Sequence, residues 1–294
     1  MKKLFFVMNP YAGTRKAGKQ LSDILSVFNR ADFDVTVYIT QCQGDAQEVV
    51  RSRAKEMDLI VCSGGDGTFN ETVAGILESG TNVPVGYIPS GSTNDFANSL
   101  GLSTDPVEAA KNIAAGKIER FDVGSFNGRY FTYVASFGAF TKTSYATPQN
   151  VKNALGHTAY LLGGIQELTQ LKNTAHLKLE LDGDVVEGDF VFGAICNSTS
   201  VGGIITLDPN QVDMTDGLFE VLLVRYPKDL TEVAECIQAL QNKTYNSKMM
   251  TFRSVRKISI AADPNMAWTL DGEKELGSSW IEIENLHRVL NLVR

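Results

Sequence analysis

Along the first ninety residues, short β-rich runs alternate with segments whose apolar residues recur every third or fourth position. The runs are residues 4–8, 35–39, 59–62 and 85–88, and their length and branched or aromatic content predict buried strands. Between them, Leu21, Ile24, Leu25 and Phe28 within residues 18–28 share one helix face, as do Ala46, Val49, Val50, Ala54 and Met57 within residues 45–57. Repeated strand–helix alternation predicts a parallel sheet covered by helices, in which ligands collect at the carboxyl ends of the strands. After Phe121 the pattern changes. Runs at 130–137, 176–181, 185–196, 218–224, 250–261 and 280–284 predict strands of a mostly antiparallel region, interrupted by helical patterns at 159–171 and 230–240. Asp182-Gly183 between two alternating runs predicts a tight hairpin turn, because glycine supplies positive φ. The predicted fold class is α/β plus β-rich: an N-terminal parallel-sheet α/β domain over residues 1–120, then a mostly antiparallel β domain over residues 121–284.

Composition narrows the function classes. The 294 residues are 43% hydrophobic and 21% charged, an ordinary globular balance that excludes a disordered tail, a collagen and a coiled-coil rod. Lys+Arg 27 against Asp+Glu 34 gives a net charge of -7, so the surface as a whole does not attract nucleic acid, and any membrane contact must use a local patch. Cys42, Cys62, Cys196 and Cys236 form no close pair and read as reduced core thiols. The apolar run 4–8 behind Lys2 and Lys3 is too short for a secretory segment, and residues 190–207 are broken by polar residues and a Gly-Gly pair. A cytoplasmic protein is therefore expected.

The chemistry concentrates in glycine-containing loops after predicted strands. Ser63-Gly64-Gly65-Asp66-Gly67-Thr68-Phe69-Asn70-Glu71 follows the run 59–62 and opens a helical pattern. Glycines there let backbone N–H groups approach an anion, and the positive end of the following helix adds to them, so the segment suits phosphate. Asp66 inside such a cradle repels phosphate unless a cation intervenes, which implies Mg2+. Asn9-Pro10-Tyr11-Ala12-Gly13 and Gly91-Ser92-Thr93-Asn94-Asp95-Phe96 follow two other runs and belong at the same sheet edge. Residues 1–20 carry five basic residues and no acid. The segment from Gly13 to Lys19 nearly matches a P-loop, but Gln20 stands where a hydroxyl must hold the metal. No nucleophile elbow occurs, and His157, His176 and His287 lack metal-ligand spacing, so hydrolase and zinc chemistry drop out. Near the C-terminus, Asp271-Gly272-Glu273 places two carboxylates at the end of a predicted strand, displaced along one face, although the same letters also spell a hairpin turn. Asp213-Met214-Thr215-Asp216-Gly217-Leu218 has the composition of an oxygen-ligand cation loop, or of a turn.

Taken in order, Asn9-Pro10-x-x-Gly13, Gly64-Gly65-Asp66-Gly67-Thr68-x-Asn70-Glu71, Gly91-Ser92-x-Asn94-Asp95-Phe96, Asp122-x-Gly124 and Asp271-Gly272-Glu273 resemble the soluble bacterial diacylglycerol kinases and related lipid kinases. The likeness spans nearly the whole chain. NAD kinases share Gly-Gly-Asp-Gly-Thr but lack the first and third motifs. The resemblance implies an ATP-dependent, Mg2+-requiring lipid kinase with its active site between two domains, acting on a diacylglycerol-like membrane lipid. Undecaprenol, a sphingoid base or monoacylglycerol remain as other acceptors, with a NAD kinase or a nucleotide-binding regulator as more distant readings. The likeness also implies that residues 285–294 return to the first domain, that the enzyme touches the inner face of the membrane transiently, and that a homodimer is admissible. ATP would be held by Asn9, Pro10, Tyr11, Ala12 and Gly13, by Thr40, by Gly64, Gly65, Asp66, Gly67, Thr68, Phe69 and Asn70, and by Ser92. Glu273 would be the general base, with Asp271 the competing candidate, and Asp66 and Asp122 would belong to the catalytic Mg2+ and water network. A structural Mg2+ would take the Asp216 carboxylate and main-chain oxygens of Asp213 and Leu218. The segment 140–171, with Leu161 and Leu162, is expected either to line the lipid-access cleft or to pack as a buried helix on the second sheet.

Overall fold

The computed structural model of the chain describes residues 1–13, 15–138, 175–201 and 205–294. They form two compact units, Met1–Val123 with Leu286–Arg294, and Gly124–Asn285. The segment 140–171 and the helix predicted at 159–171 lie outside the described residues.

In the first unit, β1 (Lys2–Met8), β2 (Phe33–Ile39), β3 (Leu59–Gly64) and β4 (Val85–Pro89) are all parallel, in the order β4-β3-β1-β2. Alternate residues of β1 face opposite layers. Leu4, Phe6 and Met8 join a core with Ile24 and Phe28 of α2 (Leu21–Arg30) and Ala109, Ala110 and Ile113 of α6 (Pro106–Ala115). On the second layer, α3 (Asp45–Arg53) packs against α4 (Asp66–Glu78). The helical pattern 18–28 is realised as a short α1 (Lys16–Lys19) followed by α2, with Gln20 between them. The start of α6 is set by Asp105, whose carboxylate accepts from the N–H groups of Val107 and Glu108, and by Pro106 in its first turn. A short α5 (Asp95–Ser99) follows β4. The last residues of the chain add another parallel neighbour, Leu292 and Val293 pairing with Val85 and Gly86.

In the second unit the strands are β5 (Ile118–Phe126, entering from the first unit), β6 (Arg129–Phe131), β7 (Val134–Gly138), β8 (Ala175–Leu181), β9 (Asp184–Cys196), β10 (Ser200–Val201), β11 (Ile205–Thr206), β12 (Phe219–Arg225), β13 (Met250–Val255), β14 (Lys257–Ala261), β15 (Trp268–Leu270), β16 (Glu273–Glu275) and β17 (Trp280–Val293, whose residues from Leu286 on belong to the first unit). The long β9 is the hub, pairing antiparallel with β7, β8 and β12. Around it, β12 pairs antiparallel with β13, β14 with β8 and β17, and β15 with β7 and β16. Helix α7 (Leu230–Asn242) starts at Asp229, whose carboxylate accepts from the N–H groups of Thr231 and Glu232. Phe126, Phe131, Phe137, Phe190, Phe219 and Trp268 are buried in one core with the aliphatic residues of β8, β12 and β14.

Four sequence expectations are corrected here, three on strand bounds and one on Cys42. The run 130–137 is two strands, because the N–H groups of Thr132, Tyr133 and Val134 turn to the Asp271 carboxylate. The run 250–261 breaks at Arg256, whose N–H donates to Asp182. The run 280–284 continues to Val293, as Arg288 adopts φ 53 and carries β17 onward. Cys42 is exposed in the loop after β2, whereas Cys62, Cys196 and Cys236 are buried free thiols. Among the described residues, no helix is long and apolar enough to cross a membrane.

Candidate active site

The strand order turns back between β1 and β3, the place where open parallel sheets bind ligands. The loops leaving the carboxyl ends of the first unit's strands meet there. Asn9 donates its backbone N–H to Ser63 O (2.9 Å) and its Nδ2 to Thr68 Oγ1 (3.1 Å), tying the first loop to α4. Thr40, after β2, donates from N and Oγ1 to Met8 O. Ser90 N donates to Gly64 O at 2.7 Å. The glycines let backbone touch backbone: a Cβ at Gly91 would lie 2.6 Å from Gly65 Cα, and one at Gly13 would lie 2.2 Å from Ser90 O. Gly65 precedes α4 without a side-chain cap, so the first-turn amides of that helix face this loop cluster. An anionic phosphate chain fits such a cradle, and neutral, small side chains leave room for it.

The side chains predicted for ATP divide into two sets. Asn9, Pro10, Ala12, Gly13, Gly65, Gly67 and Asn70 are at least partly accessible, Ser92 and Tyr11 are exposed, and Arg15 lies 5.5 Å over the Tyr11 ring. Gly64, Thr40 and Thr68 are buried in the loop scaffold. The Phe69 ring is fully buried, stacked on Tyr87 at 4.3 Å and against Phe96 at 4.7 Å, so its side chain is core beneath the cradle and its backbone is the part that faces the loop cluster's chemistry. Glu71 ties α4 to the start of α3 by accepting from Gly44 N at 2.7 Å.

Asp66 is buried at the first position of α4, and its carboxylate accepts from Thr93 Oγ1 (3.3 Å), Asp95 N (3.1 Å) and Phe96 N (3.3 Å). It therefore joins the glycine loop to the start of α5. Asp122 is fully enclosed and accepts from His287 Nδ1 (3.1 Å) and Arg288 N (2.7 Å), holding β17 where its backbone turns left-handed.

In the second unit, Asp271 and Gly272 form a two-residue hairpin turn between β15 and β16, with φ 49 and 81. This corrects the shared strand face: Asp271 sits in the turn and Glu273 opens the next strand. Asp271 is buried, and burial pushes its carboxyl upward while four hydrogen bonds, from Thr132 N, Thr132 Oγ1, Tyr133 N and Val134 N, act the other way. Glu273 is partly accessible, and Arg129 reaches its Oε2 at 3.4 Å while also bonding Glu275. The buried carboxylate thus anchors the hairpin, and the accessible one stands outside the core, oriented by a cation.

The loop 213–218 is two short turns: Asp213 Oδ1 accepts from Thr215 N and Oγ1, and Asp216 Oδ1 accepts from Leu218 N. Behind it, Glu220 is 1% exposed, and burial, with Asp216 adding to it, pushes its carboxyl up to about 8. Among the described residues, Glu220 Oε2 and the buried Asn285 Oδ1 have no hydrogen-bond partner. A set of hard oxygens with orphaned buried acceptors fits Mg2+ or Ca2+. No cluster of three or more His, Cys, Asp or Glu side chains is pre-arranged around a common metal point among the described residues.

Comparison with known proteins decides the family. The family model for the diacylglycerol kinase catalytic domain matches residues 3–126, and that for the YegS C-terminal NAD kinase beta sandwich-like domain matches residues 135–294. Diacylglycerol kinase from Bacillus subtilis (strain 168) is 31% identical over 100% of this chain and 96% of its own. The Staphylococcus saprophyticus diacylglycerol kinase is 32% identical over 92% and 89%. The chain belongs to the diacylglycerol kinase family. A crystal structure of a candidate diacylglycerol kinase from Bacillus anthracis str. Sterne superimposes with a TM-score of 0.81 at 26% identity, covering 99% of this chain and 95% of that one. Membership makes the chain a lipid-kinase-type phosphotransferase with an alcohol acceptor, for which ATP is the implied co-substrate.

Two residues of this diacylglycerol kinase family member were not visible as site residues in the sequence. Arg129 meets Glu273 from 144 positions away, and its only local signal is the Asn127-Gly128 turn before it. Glu220 reads as one polar letter in an apolar strand, and only its burial sets it apart.

Proposed function

We propose that the chain is an ATP- and Mg2+-dependent lipid kinase that transfers the γ-phosphoryl group to the free hydroxyl of diacylglycerol, giving phosphatidic acid. The observation that carries this reading is the meeting of three glycine loops backbone to backbone at the carboxyl edge of the parallel sheet, in a member of this family. On this reading the first unit holds the nucleotide and the second presents the acceptor.

Phosphoryl transfer asks a protein mainly for positioning and for charge neutralisation. Asn9, Gly13, Gly65, Gly67 and the first-turn amides of α4 would hold the phosphate chain, with Asp66 directing a metal-bound water or the metal itself. Bound Mg2+ would supply neutralisation of the charge on the phosphates. Glu273 accepts the proton of the lipid hydroxyl as its oxygen bonds to phosphorus and the bond to the departing diphosphate breaks. The proton leaves late in a loose transition state, so an ordinary carboxylate is basic enough. Arg129 holds Glu273 in one orientation. Because acyl chains keep the acceptor in a bilayer, the cytoplasmic enzyme works at the membrane's inner face as a transient, peripheral visitor.

The test is the purified chain with labelled ATP and Mg2+, presented with diacylglycerol, monoacylglycerol, a sphingoid base and undecaprenol in mixed micelles, and with NAD in solution. Labelled phosphatidic acid as the main product is expected. Turnover on NAD without lipid, or on another alcohol in preference, overturns the assignment.

A further inference from the structure

Glu220 is the second residue of β12, with Cys196 of β9 beside it on one side and Ser254 of β13 on the other. That interior position is the reason it is almost wholly enclosed. One carboxylate oxygen, Oε1, accepts from Ser254 Oγ at 3.4 Å, while Oε2 has no partner among the described residues. Glu220 stands two positions beyond Leu218, the last residue of the loop 213–218, so the two lie on the same side of the chain as it enters β12.

Asn285 adds a second, independent observation. It is buried, it donates Nδ2 to Leu218 O at 2.9 Å, and its own Oδ1 has no partner among the described residues. Two enclosed side-chain oxygens without partners among the described residues therefore lie next to a loop that already carries two carboxylates. A buried polar oxygen that is left without a partner is costly. Such an arrangement persists when something positive completes it, and a hard divalent cation with its bound waters does so with oxygen ligands alone.

We infer that Glu220 supplies, through Oε2, the buried oxygen of the cation site formed by the loop 213–218, facing the ion or one of its bound waters, and that Asn285 positions the Leu218 carbonyl for the same ion. This rests on the reading of that loop as a structural cation site and extends it inward, from the exposed turn to the sheet. The ion thereby gains a structural role. Anchored to β12, it ties the loop to the interior of the second unit, so its loss is felt as lower stability.

The experiment uses the full chain without nucleotide and titrates MgCl2, reading heat by calorimetry and melting temperature by circular dichroism, for wild type, Asp216→Asn and Glu220→Gln. Wild type should bind Mg2+ and melt higher with it. Asp216→Asn should lose both effects. Glu220→Gln, an amide of the same shape, should melt no lower than wild type in EDTA yet bind Mg2+ at least ten-fold more weakly. If Glu220→Gln keeps Mg2+ affinity within two-fold while Asp216→Asn loses it, the loop is the site and Glu220 plays no part in it. No Mg2+ response in wild type overturns the loop reading and this one together, and leaves lipid kinase activity to be judged by its own assay. Should Glu220→Gln fail to fold, Glu220→Asp draws the carboxylate back by one methylene: weaker Mg2+ binding is then expected, and unchanged binding overturns the inference.

Discussion

Asp271 holds Thr132 twice with one oxygen: its Oδ2 accepts from the Thr132 N–H at 2.6 Å and from the Thr132 hydroxyl at 2.8 Å. Its other oxygen takes the N–H groups of Tyr133 and Val134. Four donors on one enclosed carboxylate make it the clamp that fixes the turn immediately before Glu273. The two acids thereby divide the work, one fixing the hairpin and the other reaching the accessible side.

Asp271→Asn should therefore damage structure before chemistry. Asparagine tolerates the left-handed turn conformation, but its amide nitrogen would face N–H donors, and at least two of the four hydrogen bonds would be lost. A destabilisation of about 2–5 kcal/mol is expected from hydrogen bonds to a charged group. Urea unfolding measures it. Full stability with abolished turnover would instead give Asp271 a place in the proton transfer.

Glu273→Gln keeps the shape and removes the ability to accept a proton. The kcat should fall by about two to four orders of magnitude, the usual contribution of a positioned general base, with ATP affinity little changed. Arg129→Gln should lower kcat less, and its loss should not add fully to that of Glu273→Gln, since the two act through one contact. Steady-state kinetics on diacylglycerol micelles reads both, and additive losses would separate Arg129 from the base.

Gly91→Ala tests the cradle without touching any charge. The added methyl would meet Gly65 Cα at 2.6 Å, backbone against backbone, so the two loops must part. ATP binding should weaken at least ten-fold by calorimetry while the fold persists. Binding at wild-type strength would show that phosphate is held elsewhere.

Asp66→Ala should abolish Mg2+-supported turnover and also cost about 1–2 kcal/mol, because the start of α5 loses its acceptor. Turnover close to wild type would remove Asp66 from the site.

The parallel sheet was legible because its strands are contiguous apolar runs and its loops carry glycine at the strand ends, and both are local signals. The cradle was legible for the same reason: Gly64, Gly65 and Gly67 sit where a strand meets a helix. What stayed hidden depends on partners far along the chain. The break after Phe131 is made by Asp271, 139 positions beyond Thr132, and the break at Arg256 by Asp182. Phe69 lies inside a glycine motif by sequence, yet helical rotation turns its ring to the core, where Tyr87 and Phe96 receive it. The carboxylates of Asp271 and Glu273 read as neighbours on one strand because a two-residue turn and a continuing strand are spelled alike.

His176 offers a pH test independent of catalysis. On the β8–β9 hairpin its Nδ1 lies 2.9 Å from Asp189 Oδ1 and its Nε2 lies 3.5 Å from Glu187 Oε1, and the hydrogen bond to Asp189 is the largest of the causes that raise its pKa. Since the folded protein binds this proton more tightly than the unfolded chain, the pair's stabilisation is complete below about pH 6.5, the unfolded value, and is lost as pH rises through the higher folded value. All three side chains are exposed, so the effect is small and should shrink further in salt. Melting temperatures of wild type and His176→Gln, compared from pH 6 to 8.5 at low ionic strength, should converge toward the alkaline end as the charged pair disappears. An imidazole titration followed by NMR should give a midpoint above that of a free histidine; a midpoint at or below it would mean that Asp189 and Glu187 do not hold the proton.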